Sequence, residues 1–198
     1  MSRIDNTAAA PDGVGDPLPP GCQIIKVHVG ELNQLFNAMD PAPFRERDLD
    51  PNAEAFIVDW ARDLHHDRPL ALVVHLDRQP STEDAALLKD AVREFFKQRA
   101  LSTRRKLRLL FKVGRRSLLI GLVVVAASVL VGDLLAAALR ESRFGAVLRE
   151  SLLIGGWVAM WRPIEIFLYE WWPIRALARL YDRLSAMPVR IEPADAKR

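Results

Sequence analysis

Between Ser117 and Leu139 the chain reads SLLIGLVVVAASVLVGDLLAAAL, 23 residues carrying one charge. A helix rises about 1.5 Å per residue, so this run reaches roughly 34 Å, enough for a hydrocarbon core of about 30 Å. A buried helix of a soluble protein is the competing reading, and the length and uniformity of the run argue against it.

A second apolar stretch, Phe144 to Trp161, is interrupted early by Arg149 and Glu150, and only Ser151–Trp161 is free of charge. It spans only if the charged pair lies near the outer surface or finds partners. The link Arg140–Arg143 is short, so the two helices are antiparallel and Asp133 falls at about the depth of Arg149 and Glu150. A central intramembrane aspartate costs on the order of 3 kcal/mol, which pairing with Arg149 reduces. Two uses compete for these three charges: a polar path for protons or ions, and a structural clamp between the helices. One acid beside one ion pair makes a poor path, which favours the clamp. Ser128, Gly132 and Ala136 repeat at four-residue spacing and allow close approach of another helix, either the second span, with its own Gly155–Gly156, or another copy.

Orientation follows from the basic residues. Residues 1–98 sum to −7 and residues 99–198 to +10. The stretch 99–116 holds eight basic side chains and no acid, and 175–198 adds six more, whereas the turn has only Arg140 and Arg143. Both termini are therefore expected in the cytoplasm. Thr103–Arg116 places Leu107, Leu110 and Phe111 at helical spacing. Arg104, Arg105, Lys106, Arg108, Lys112, Arg115 and Arg116 surround them, the pattern of a helix lying on anionic lipid. Continuity with a spanning helix favours lipid over nucleic acid. After Trp161, RPIEIFLYEWWPI predicts a broken aromatic segment on the inner surface, then a basic amphipathic helix over about Ile174–Ser185 and a short strand at Val189–Glu192.

The first half is of another kind. Residues 1–21, with Pro11, Pro17, Pro19 and Pro20, read as disordered and hold no signal peptide. Gln23–Val29 and Leu70–Leu76 alternate as half-buried strands. A short helix is predicted at Glu31–Met39, one at Pro51–Leu64 capped by Asp50, and a long one from Thr82 to about Ala100, opened by Ser81 with Asp84. The fold class expected is a membrane protein: a small cytosolic α/β (βααβα) domain over 22–101, a basic juxtamembrane helix over 102–116, a two-helix transmembrane hairpin with aromatic segment over 117–174 (spans 117–139 and 144–161), and a basic C-terminal segment over 175–198. Two parallel strands make a thin sheet, which calls for a partner strand or a second copy.

In the run Met39–Ala61, Asp40, Glu46, Asp48 and Asp50 lack the spacing and glycine of a calcium loop, and Asp40-Pro41 and Asp50-Pro51 are helix-start signals. The segments Asp40–Ala61 and Trp161–Ile174 resemble a family of bacterial two-helix inner-membrane proteins. The resemblance implies bacterial origin and that topology, with no assigned activity or catalytic residues.

No phosphate loop, nucleophile elbow, zinc motif or cysteine pair is present, so no catalytic residue, cofactor or metal ligand is assigned. His28 and His75 would be neighbours in a parallel pair, as a pH-sensitive or metal-binding couple or as plain polar-face residues. His65 and His66 follow a helix, where cations suit its end. Cys22 borders the N-terminal tail. The leading expectation is a membrane-anchored interaction module, an adaptor or scaffold of the bacterial inner membrane, binding lipid, an unknown protein partner or its own copies. The alternatives are a small oligomeric channel or transporter subunit and, behind it, a membrane-tethered enzyme.

Overall fold

The computed structural model describes residues 13–37, 47–64, 68–77, 81–138 and 143–194. The chain forms two compact units, one of residues 1–101 with 178–198 and one of residues 102–177. The second is thus inserted, in chain order, into the first.

The first unit is built on a four-stranded sheet of β1 (Val14–Gly15), β2 (Gln23–Val29), β3 (Leu70–Leu76) and β4 (Val189–Pro193), in spatial order β1-β4-β3-β2. Strands β2, β3 and β4 are parallel, and β1 runs antiparallel to β4. The thin sheet expected from the first hundred residues is therefore completed by the chain's own C-terminal strand. Residues 175–198 are accordingly no separate segment. Helix α4 (Trp171–Ser185) carries the chain back, burying Ala178, Leu180 and Leu184, and Met187, Val189 and Ile191 follow it into the core.

The disorder expected through residue 21 does not hold over Val14–Gly21. Asp16 anchors this stretch: its carboxylate accepts from Lys89 Nζ at 2.5 Å and Arg93 Nη2 at 3.0 Å, and its amide donates to the Val189 carbonyl. Gly15 has φ +131°, and a Cβ there would lie 2.6 Å from the Val189 oxygen, so only glycine lets the strand come this close. A proline-rich stretch can be ordered when a few charged and backbone contacts replace a hydrophobic core.

The local signals around the helices hold. Asp50 caps α1 (Pro51–Asp63), accepting from Asn52 N at 2.8 Å with Pro51 in the first turn. Ser81 and Asp84 exchange reciprocal bonds at the start of α2 (Thr82–Ala138). The helix predicted at Glu31–Met39 is a single 3₁₀ turn, Leu32–Leu35, because Phe36 instead pairs with Leu49 in a β-bridge; residues 38 and 39 lie outside the described residues. Sequential strands joined by right-handed crossovers place the crossover helices on one face. There α1, the first part of α2 and the last part of α4 meet: Glu54 Oε2 takes Arg99 Nη2 at 2.6 Å, and Phe96 stacks on Tyr181 at 6.1 Å. Their shared core with the sheet includes Ile57, Leu72, Leu88, Phe96, Leu184 and Ile191, all fully buried.

In the second unit, α2 runs on to Ala138 with no interruption, so the separate basic helix expected at 102–116 is the middle of one 57-residue helix. The reason is composition. No proline falls between Thr82 and Ala138, and an interior glycine costs only about 1 kcal/mol. Helix α3 (Arg143–Glu165) returns beside it, followed by a π turn (Ile166–Glu170) and α4. The break expected at Pro163 is absorbed as well. Pro163 cannot donate to the Ala159 carbonyl, and that oxygen lies 3.2 Å from where a Gly121 side chain would begin. The widened π turn then runs directly into α4, so Pro173 too lies inside a continuous run of helix.

Because β4 lies between β1 and β3, Ile191→Ala should destabilise the sheet unit by about 2–5 kcal/mol. Chemical denaturation of the full chain followed by circular dichroism measures this. A midpoint unchanged from wild type would contradict the central place of β4.

Candidate functional site

The described residues offer polar constellations in both units, two in the helical unit and one on the sheet, and an apolar surface concentrated in the helical unit. Beyond Phe56, Trp60 and Leu101, every exposed large apolar side chain among the described residues lies between Leu109 and Trp172. Two helical stretches, Thr82–Ala138 and Phe144–Ser185, are long and apolar enough to cross a membrane.

Close contacts give the hairpin its register. Gly114 faces Ile166 and Phe167, Gly121 faces Ala159 and Met160, Gly156 faces Ser128 and Val125, and Gly132 faces Arg149. A Cβ on Gly121 would come within 2.8 Å of the Met160 sulfur, and one on Gly156 within 3.3 Å of the Ser128 side chain. Ser128 and Gly132 thus seat α3, and Ala136, half-buried, continues the row toward the turn. Of the two uses open for this row, the structure displays the intramolecular one.

Arg149 Nε donates to Asp133 Oδ1 at 3.0 Å, with both side chains about half exposed. Glu150 is exposed and takes no part in that pair. Asp133 lies five residues before the end of α2 and Arg149 six after the start of α3, about 8–9 Å along the axis from the turn. The turn itself, residues 139–142, is outside the described residues. A guanidinium and a carboxylate at one level satisfy each other, and among the described residues they form no chain of polar groups running the length of the helices.

At the other end, Arg104, Arg105, Lys106, Arg108, Lys112, Arg115 and Arg116 are all exposed. The apolar stripe read beside them is used differently from the expectation. Phe111 sits against Phe167 and Trp171, ring centroids 6.2 and 6.3 Å apart, and Leu107 and Leu110 are half-buried. The returning helix takes up part of a face that the periodicity assigns to lipid. A polar cluster at this end is only half legible in the sequence: Arg162 Nη1 donates to Glu165 at 3.0 Å and also to Glu170, the contact that sequence reasoning missed. The spacing of Arg162 and Glu165 signals the first contact. The second depends on the π turn. Residues eight apart in an α-helix are displaced by about 80° around the axis, and a wider turn rotates less per residue, which brings Glu170 back over Arg162. The Trp171 indole N–H donates to the Phe167 carbonyl within the same turn.

In the sheet unit, the register sets His28 beside His75 and His75 beside Glu192. The imidazoles stack with centroids 4.4 Å apart and planes 13° from parallel. Lys26 and Arg190 lie two residues back on the same face, and Arg190 Nε meets Glu192 at 3.2 Å. Burial pushes the His75 pKa down; His28 and Lys26 add to this, while Glu192 and the Pro193 backbone oppose it. Parallel stacked rings do not point their nitrogens at a common centre, and no group of three metal-binding side chains occurs among the described residues. Cys22 is half-buried, which pushes its thiol pKa up and makes it a weak nucleophile. His65, His66, Asp40 and Glu46 lie outside the described residues.

Comparison with family models, curated proteins and solved structures returns no match. The likeness drawn on Asp40–Ala61 and Trp161–Ile174 rests on those segments alone, and Asp40–Glu46 are outside the described residues.

Two outcomes test these geometries. With Cys22→Ser, the pair Ser128→Cys and Gly156→Cys should crosslink within one chain, since the Cβ separation is close to that of a disulfide. On non-reducing gels, a crosslink found only in dimers would assign the small-residue row to contacts between copies. His75 should titrate below the ordinary imidazole value of about 6.5 by NMR. A histidine with a depressed folded pKa binds fewer protons than the unfolded chain. Its contribution to stability is therefore present above about pH 6.5 and lost as pH falls through the folded value. A melting midpoint flat between pH 7 and 5, in a protein whose His75→Gln variant behaves identically, would count against this.

Proposed function

We propose that the chain is a membrane-anchored interaction module of the bacterial inner membrane, with both termini and the sheet unit in the cytoplasm. The observation that carries the reading is the insertion of residues 102–177 into a folded unit made of both flanking segments. A unit assembled from chain on either side of an apolar hairpin requires both ends of the hairpin to return to one compartment, hence an even number of crossings. The hairpin supplies two helices of adequate length, and its exposed basic residues lie at the end away from the turn, the positive-inside pattern.

The interaction part of the reading rests on what the sheet leaves open. The incomplete sheet that first suggested a partner strand is absent, since β4 and β1 fill that place. The support that remains is a sheet face whose ionisable groups Lys26, His28, His75, Arg190 and Glu192 lie exposed or half-buried, and a seven-residue strand, β2, at the edge. An oligomeric channel subunit is the second reading, favoured by Asp133 and Arg149 within the apolar hairpin. Their mutual hydrogen bond and their place near the turn support the clamp instead.

Labelling with a membrane-impermeant maleimide tests the topology. In intact cells with Cys22→Ser, a cysteine placed at Ser142 should react from outside. Cys22 of the parent chain should react only after the inner membrane is opened. Reaction of Cys22 in intact spheroplasts would sink the proposed orientation. A detergent-solubilised mass equal to the bare monomer at every concentration would sink self-association, and proton flux abolished by Asp133→Asn would restore the channel reading.

A further inference from the structure

We propose that the cleft at the π turn binds the ammonium headgroup of a zwitterionic phospholipid, of the phosphatidylethanolamine type; this rests on the membrane reading above. The cleft, about 320 Å³, is lined by Trp161, Ile164, Glu165, Tyr169 and Glu170. Two carboxylates there share one guanidinium, that of Arg162, so the cluster carries one negative charge in excess. Such an excess beside two aromatic rings suits a single cation. Aromatic rings attract cations through their quadrupoles, and carboxylates accept hydrogen bonds from them.

A primary ammonium has three donors to distribute, which a trimethylammonium lacks. Ile164 gives the same cleft an apolar wall, as a headgroup joined to acyl chains requires. Gly114 faces Ile166 and Phe167, so the cleft lies at the level of Arg115 and Arg116, where the apolar run of α2 gives way to its basic stretch. That is the headgroup level of a hairpin whose spans begin near Ser117. The exposed cations of α2 attract anionic headgroups, while Glu165 and Glu170 repel them. One end of the hairpin would thus sort two lipid classes onto different side chains. The π turn makes the site, because it brings Glu170 over Arg162, beside the cleft that Trp161 and Tyr169 also line.

The test is native mass spectrometry of the full chain released from detergent in an equimolar mixture of phosphatidylethanolamine, phosphatidylglycerol and phosphatidylcholine with identical acyl chains. Retained phosphatidylethanolamine should exceed each of the others roughly five-fold. Glu170→Gln and Tyr169→Leu should each bring the ratio near parity while helicity by circular dichroism is kept. If one variant loses helicity, the other carries the comparison. Equal retention of all three lipids by the wild type, or a preference that both variants keep, overturns the proposal. Displacement of the lipid by free ethanolamine at comparable concentration overturns the lipid as the source of the ammonium group. A chain that stays monodisperse without detergent overturns the membrane reading and this site together, whereas a detergent-dependent chain without lipid preference overturns only the site.

Discussion

The parallel pairing of β3 with β4 is the constraint on which the architecture depends. Leu72 meets Val189 and Leu76 meets Pro193 across more than a hundred intervening residues. Loop-closure entropy grows only with the logarithm of that separation, so the insertion of a helical hairpin costs the pairing little more than a shorter loop would. The gain is a sheet with a buried central strand: Leu70, Leu72, Val74 and Leu76 are all inside, and Val189 and Ile191 complete the layer. Remove β4 and β1 loses the strand it pairs with, while Asp16 loses the Val189 carbonyl.

The hairpin obeys a different rule. Its helices are held by contacts at bare backbone, Gly121 against Ala159 and Gly156 against Ser128, with one ion pair toward the turn and an aromatic group around Phe111, Phe167 and Trp171 at the opposite end. Apolar side chains point outward over most of its length, the reverse of the sheet unit. Arg175 lies over the Trp171 ring at 5.6 Å, near the place where one chemistry gives way to the other.

Much of this was legible from residues alone. Alternation located β2 and β3, capping chemistry located the starts of α1 and α2, and two antiparallel helices put Asp133 level with Arg149. The failures share a cause. Periodicity reads faces, not neighbours, so it could not tell that Leu107, Leu110 and Phe111 would meet a returning helix. Nor could it connect Val189–Glu192, a weak four-residue signal, to a sheet laid down a hundred residues earlier. Prolines misled in both directions. Pro17 to Pro20 suggested disorder where Asp16 supplies long-range anchors, and Pro163 and Pro173 suggested breaks where α3, the π turn and α4 follow one another without a gap. The Arg162–Glu170 contact was invisible because it exists only once one turn is wider than the rest.

Insertion of the hairpin between β3 and β4 also fixes a timetable. At a synthesis rate of about 5–20 residues per second, β3 waits roughly 6 to 23 s for its second neighbour. During that interval the half-built sheet keeps an open edge next to β3, its most apolar strand. In the membrane topology proposed above, a hairpin whose two ends came to rest on opposite sides of a bilayer would leave that edge open and the sheet unit unfolded. On that reading the sheet unit is a checkpoint on its own insertion: only a correctly threaded molecule acquires a folded head.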